Sequence, residues 1–116
     1  MFVPKRIYQG LPQVAKAKEY IDNHWREEFD DDSVAKAVNI SSRSLYRLFK
    51  QHIDMTPKDY YYKVKLGHLK EKLQDKTLSV AEAFSACGED SRGRFAKTFK
   101  EMTGVTPTEY RNSASG

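Results

Sequence analysis

Cysteine occurs once, at Cys87, in 116 residues. An internal disulfide is therefore excluded, and a lone thiol fits a reducing compartment. Next to Gly88, Cys87 reads as a small apolar packing residue. Long apolar runs are lacking as well. No stretch approaches the roughly 18 residues of a membrane helix, and the first residues carry no apolar signal-peptide core. A soluble cytoplasmic protein with no membrane partner is expected. Histidine appears three times, at His24, His52 and His68, on separate predicted helices, and no metal is expected there. There is no Gly-rich phosphate loop, and no base stands beside Ser41 or Ser91 to activate a nucleophile. Neither an enzyme nor a cofactor is expected. The run Asp30-Asp31-Asp32 looks like a cation site, but it opens a predicted helix, and capping accounts for it. No segment alternates as a strand would.

Apolar residues make up 39% of the chain and aromatics 12%, enough for one core or two small joined ones. The net charge of +4 is unevenly spread. Residues 14–40 hold 4 basic and 7 acidic side chains, whereas residues 41–76 hold 9 basic and 4 acidic. A basic middle block fits an anionic partner, and equally a solvated lysine-rich helix.

The most specific feature is a repeat. Phe49-Lys50-Gln51-His52-Ile53-Asp54-Met55-Thr56-Pro57-Lys58-Asp59-Tyr60 returns as Phe99-Lys100-Glu101-Met102-Thr103-Gly104-Val105-Thr106-Pro107-Thr108-Glu109-Tyr110, an offset of 50 without a gap. Upstream, Ser41, Leu45 and Arg47 pair with Ser91, Phe95 and Lys97. One supersecondary unit is used twice.

Helical periodicity supplies the elements of that unit. A first helix is predicted over about 12–26, with Val14, Ala17, Ile21 and Trp25 on one face. A second begins near Asp30 and buries Val34, Ala35 and Val38. Ser41 caps a third over 42–52, with Leu45, Leu48 and Phe49 inward. Thr56-Pro57 with Asp59 starts a long fourth over 57–74, striped by Tyr62, Leu66, Leu69 and Leu73. Gly67 within it is taken as a mark of close packing. Ser79 and Glu82 box a fifth helix over 79–86. A sixth runs over 91–102 with Phe95, Phe99 and Met102 buried, and Thr106-Pro107 opens a seventh. The expected fold is all-α, about seven helices, in two helix-turn-helix subdomains at 14–56 and 77–111. A connecting helix at 57–76 joins them, with a linker or tail at 1–13 and a disordered tail at 112–116.

The two units resemble the DNA-binding domain of the AraC/XylS transcription regulators over about residues 14–111. The resemblance rests on Val34-Ala35, Ile40-Ser41, Leu45-x-Arg47-x-Phe49-Lys50, Thr56-Pro57 and Tyr60. In the second copy it rests on Ser79-Val80-x-Glu82, Cys87-Gly88, Phe95-x-Lys97-x-Phe99-Lys100, Gly104-x-Thr106-Pro107 and Tyr110-Arg111. It implies a bacterial regulator that binds double-stranded DNA. Its two recognition helices would enter successive major-groove faces about 34 Å apart. It further implies a sensing or dimerisation domain N-terminal to this chain, and contact with RNA polymerase if the regulator is an activator. The chain departs from the family pattern at Asn39 and Asp54, where glycine is usual. Phe84 replaces a small residue and Glu89 an aromatic, and these two put the usual geometry of the second unit in question.

On the third predicted helix the face opposite Leu45 holds Arg43, Tyr46, Arg47 and Lys50, with Ser42 at its start. Arginine can donate two hydrogen bonds to guanine, a tyrosine ring can meet a thymine methyl, and Lys50 suits a phosphate. At the offset of 50 the sixth helix shows Gly93, Ala96, Lys97 and Lys100. Two groups able to read bases have no counterpart there, while the basic pair remains. Arg92 and Arg94 flank this face, and the turn before it is expected to be one residue longer. Most base readout is therefore expected from the third helix and mainly backbone contacts from the sixth. A phosphate at either Thr-Pro helix start is weighed equally with simple capping. The competing reading is a helical protein-interaction module of the same fold with weak or no DNA binding, favoured by Glu89, Gly93 and the acidic first third. An architectural protein without sequence preference is the other.

Overall fold

The structure, a computed structural model, describes residues 10–114, with side chains to 113. Residues 1–9 of the expected linker and 115–116 of the expected tail lie outside the described residues. Seven helices follow in order: α1 Leu11–Asn23, α2 Asp31–Ala37, α3 Ser42–Ile53, α4 Pro57–Gln74, α5 Val80–Ala86, α6 Arg94–Thr103 and α7 Pro107–Ala114. No strand occurs among the described residues. The chain divides into two compact units, residues 1–63 and 64–116, and α4 contributes to both.

In the first unit α1, α2, α3 and the opening turns of α4 surround one core. Val14, Ala17, Ile21, Val34, Ala35, Val38, Leu45, Leu48, Phe49 and Tyr61 fill it. These are the inward positions of the 3.6-residue periodicity on each helix. Phe29 lies against Tyr61 with ring centroids 5.2 Å apart, and the Tyr61 hydroxyl donates to the Glu27 carbonyl at 2.6 Å. That bond lets a tyrosine sit where only its ring would otherwise be welcome.

The second unit repeats the plan with α4 in the place of α1. Leu66, Leu69 and Leu73 of α4 are buried with Ala83, Phe84, Cys87, Phe95 and Phe99. The closing helix makes the parallel plain. In the first unit Tyr60 packs edge-on against Phe49 and donates to Asp22 Oδ1 at 2.7 Å, with Lys18 Nζ 5.4 Å from its ring centroid. In the second, Tyr110 packs edge-on against Phe99 and accepts from Gln74 Nε2 at 3.0 Å, with Lys70 Nζ at 5.8 Å. Lys18 and Asp22 are four apart on α1, as Lys70 and Gln74 are on α4. So α4 closes the first unit with its N-terminal turns and opens the second with the rest.

Helix ends follow local chemistry. Asp30 accepts from the Asp32 N–H, and Ser41 accepts from the Ser44 N–H at 3.0 Å. Thr56 and Asp59 exchange reciprocal bonds at 3.0 and 3.2 Å, as do Thr106 and Glu109 at 3.0 and 3.1 Å. Ser79 and Glu82 form a third such box. Asn39 and Asp54 adopt left-handed backbone at φ 58 and φ 53, as Gly88 and Gly104 do in the second unit. Asn and Asp are the residues that tolerate this conformation best after glycine, which explains the two replacements.

Seven expectations are corrected. Helix α1 starts at Leu11, so residues 11–13 are helix and not linker, and Tyr61 rather than Tyr62 is the buried tyrosine of α4. Helix α1 stops at Asn23, because the His24 ring Nδ1 bonds back to the Tyr20 carbonyl at 2.7 Å and the rings stack, so Trp25 is outside the helix. Helix α6 starts at Arg94 rather than Ser91. Met102 is 44% exposed, not buried. A Cβ on Gly67 would meet nothing within 4 Å, so close packing does not explain that glycine. Helix α7 continues through Asn112 and Ser113 to Ala114, since a capped helix runs on where no residue stops it.

Candidate nucleic-acid interface

Helix α3 buries Leu45, Leu48 and Phe49, and this fixes what its opposite side can offer. Arg43, Tyr46, Arg47 and Lys50 are exposed there, Tyr46 by 53%, with Ser42 half-buried at the N-terminal end. Among the described residues none of Arg43, Tyr46, Arg47 and Lys50 forms a side-chain hydrogen bond or ion pair. The acids of α2 do not engage Arg47, so three cations and a phenol stand free on one face. Asp31 and its neighbours lie on a separate element. Burial and the repulsion of Asp32 and Asp30 push the Asp31 carboxyl above its ordinary value, against the pull of Lys58.

The turn before α3 is short, residues 38–41. Its backbone closes with the Ile40 N–H donating to the Ala35 carbonyl at 3.0 Å, the wrap that ends many helices. In the second unit the Glu89 N–H donates to the Phe84 carbonyl at 2.9 Å. The offset is 49 here but 50 from Leu45 to Phe95, which puts the one additional residue between Glu89 and Phe95. The turn itself, residues 87–93, is longer still, because α6 starts late. Ser91, which aligns with the capping Ser41, caps nothing. Asp90 instead accepts the Arg92 N–H at 2.8 Å, and its carbonyl accepts the Gly93 N–H at 2.9 Å. Such a side-chain turn competes with helix and delays it.

The face of the second unit is therefore part turn and part helix. Arg92 and Gly93 are exposed in the turn, and Gly93 is the N-cap of α6 without a side-chain capping bond. Arg94, Lys97 and Lys100 are exposed on α6, and Ala96 is half-buried. Lys100 lies near Glu109. Bonds from the Thr106 backbone and side chain, and then that lysine, hold the Glu109 carboxyl below its ordinary value. At both Thr-Pro helix starts the threonine N–H donates to the acid three residues on, and that acid's N–H donates to the threonine hydroxyl.

The two departures in the second unit are absorbed. Phe84 is fully buried, with its ring 6.4 Å from that of Phe95, edge to face. Glu89 Oε1 lies 2.7 Å from Lys65 Nζ. Lys65 is 1% exposed, and its Nζ is 5.7 Å from the Phe95 ring centroid. This lysine was missed in the sequence, where it merges with the basic block. The signal was its place one turn from both Tyr61 and Leu69 on a buried stripe.

Among the described residues no group of three His, Cys, Asp or Glu side chains is arranged for a metal, and no helix is long and apolar enough to cross a membrane. A pocket of about 290 Å³ beside α3 is lined by Gln13, Ser44, Arg47 and Gln51, with no carboxylate or histidine in its lining.

Comparison with known proteins accords with this architecture. A family profile described as a helix-turn-helix domain matches residues 34–113. An AraC-type DNA-binding domain protein from Chromobacterium violaceum is 30% identical with a TM-score of 0.79, over 90% of this chain and 93% of that one. The chain belongs to the AraC/XylS family of transcription regulators. The xylose operon regulatory protein of Escherichia coli K12 is 35% identical over 107 residues, 90% of this chain and 27% of that protein. The chain spans about a third or less of the length of the curated relatives it matches. The DNA-binding domain of AdpA, a global transcriptional factor solved with a target DNA, shares the fold at 23% identity and a TM-score of 0.76, over 87% of this chain and 91% of that one. The matched relatives are regulators, not enzymes.

Proposed function

We propose that this chain binds double-stranded DNA sequence-specifically, as the DNA-binding part of a bacterial cytoplasmic regulator. Helix α3 reads bases in the major groove through Arg43, Tyr46 and Arg47, with Ser42 and Lys50 on the backbone. In the second unit Arg92, Arg94, Lys97 and Lys100 hold phosphates, while Gly93 and Ala96 admit close approach and read few bases. The observation that carries this is the unpaired basic and aromatic face of α3, set against the side-chain-poor face at Gly93 and Ala96. In the intact regulator we assign sensing or dimerisation to a further domain, and RNA polymerase contact if it activates.

A substitution panel across a selected operator tests the division of labour. Changes under α3 should each cost about 1–3 kcal/mol, and changes under α6 much less. Equal costs in both half-sites overturn it. Affinity should also fall steeply with salt through counterion release. A protein-interaction module would show no such fall.

A further inference from the structure

We infer that Lys65 is a positioning residue for DNA contact by the second unit, acting through Glu89. This rests on the reading that the turn at 87–93 and α6 meet phosphates. Lys65 is a cation buried to 1% exposure on α4, and Glu89 is the first residue past the left-handed Gly88. The carboxylate is tied to Lys65 at 2.7 Å, and the backbone of the same residue is tied to Phe84 of α5 at 2.9 Å. Lys65 also sits over Phe95 in the first turn of α6. One side chain thus connects α4, the turn and the start of α6.

The second unit needs such a tie more than the first. Helix α3 begins directly after a four-residue turn, under a serine cap, with Ile40 packed against the core at the register of Glu89. Helix α6 begins after seven residues with no side-chain cap. Arg92 and Arg94, three and five residues beyond Glu89, take their positions from that turn. A charge-assisted bond fixes direction as well as distance, which an apolar contact does not. Pairing also neutralises a carboxylate that would otherwise stand next to phosphates.

The test compares full-chain variants on one selected operator duplex, by hydroxyl-radical footprint and by the slope of log affinity against log salt. Lys65→Met/Glu89→Gln removes both charges with little change of volume. It should melt as the wild type does and keep protection under α3. It should lose protection under α6, with the salt slope smaller by about 2, since each lost phosphate contact removes about 0.9. Lys97→Ala/Lys100→Ala reports whether α6 meets phosphates at all. If its slope equals that of the wild type, the reading of α6 is wrong. If its slope falls while Lys65→Met/Glu89→Gln binds like the wild type, the positioning role is overturned. Should Lys65→Met/Glu89→Gln fail to fold, Glu89→Asp, which keeps the charge but shortens the reach, decides. Lost protection under α6 alone supports the role, and an unchanged footprint and slope overturn it.

Discussion

Arg43 and Lys50 illustrate how two cations on one helix face do different work. Arg43→Ala should leave stability within about 0.5 kcal/mol, since its side chain is exposed and unpaired. It should cost about 1–3 kcal/mol of binding and relax preference at one base pair. Lys50→Ala should weaken binding evenly across sequences and lower the salt slope by about 1. Binding isotherms on an operator panel at several salt concentrations separate the two. The capping acids make a second residue-scale prediction. Glu82 and Glu109 are held below the ordinary glutamate value of 4.5, first by backbone bonds from Ser79 and Thr106 and then by side-chain bonds. A depressed carboxyl stabilises the fold fully above its unfolded value and stops doing so as pH falls through its folded one. Melting temperature should therefore be flat down to about pH 5.5 and drop below pH 4.5. Glu82→Gln/Glu109→Gln, which leaves no carboxyl to titrate at either cap, should flatten that drop. At this scale the sequence was legible where chemistry is local: the caps at Asp30, Ser41, Thr56 and Ser79, and the exposed face of α3. It was not legible at Lys65, whose partner is 24 residues away and whose type normally signals solvent.

Helices α3 and α6 descend from one pattern yet start differently, and the cause lies outside both. Ser91 looks like Ser41, but Asp90 takes the Arg92 N–H before any helix forms. Two neighbouring residues with capping ability compete, and sequence alone does not say which wins. Helix α4 poses the reverse case. Gly67 sits inside it, exposed, with open space where a side chain would go. Gly67→Ala should stabilise the chain by up to about 1 kcal/mol, read by thermal or urea melts, since nothing opposes the gain in helix propensity. Phe84→Ala should cost about 3–5 kcal/mol by the same measurement, because a fully buried ring leaves a cavity under α5 and α6.

Over the whole molecule, the number of helices and most of their apolar stripes were readable, because they depend on periodicity, and the stripes failed at Trp25, Tyr62 and Met102. What the offset of 50 did not reveal is how the copies share material. The repeat in sequence marks a closing segment, Thr-Pro-x-acid-Tyr, whereas the unit in space also needs an opening helix, and α4 is both. A fragment of residues 1–76 retains every core residue of the first unit and should melt cooperatively by circular dichroism. A fragment of residues 77–116 lacks Leu66, Leu69 and Leu73 and should not.

The double duty of α4 divides along its length. Tyr61 fills the first core, and Leu66, Leu69 and Leu73 are buried in the second. Helix α7 carries the counterpart of the first of these stretches. Tyr110 and Arg111 face back into the second unit, where Arg111 Nε donates to the Leu73 carbonyl at 2.8 Å. Asn112 and Ser113, the counterparts of Tyr62 and Lys63, are exposed. One helix thus ends one core and begins another, so a substitution in α4 is felt in whichever core its position serves.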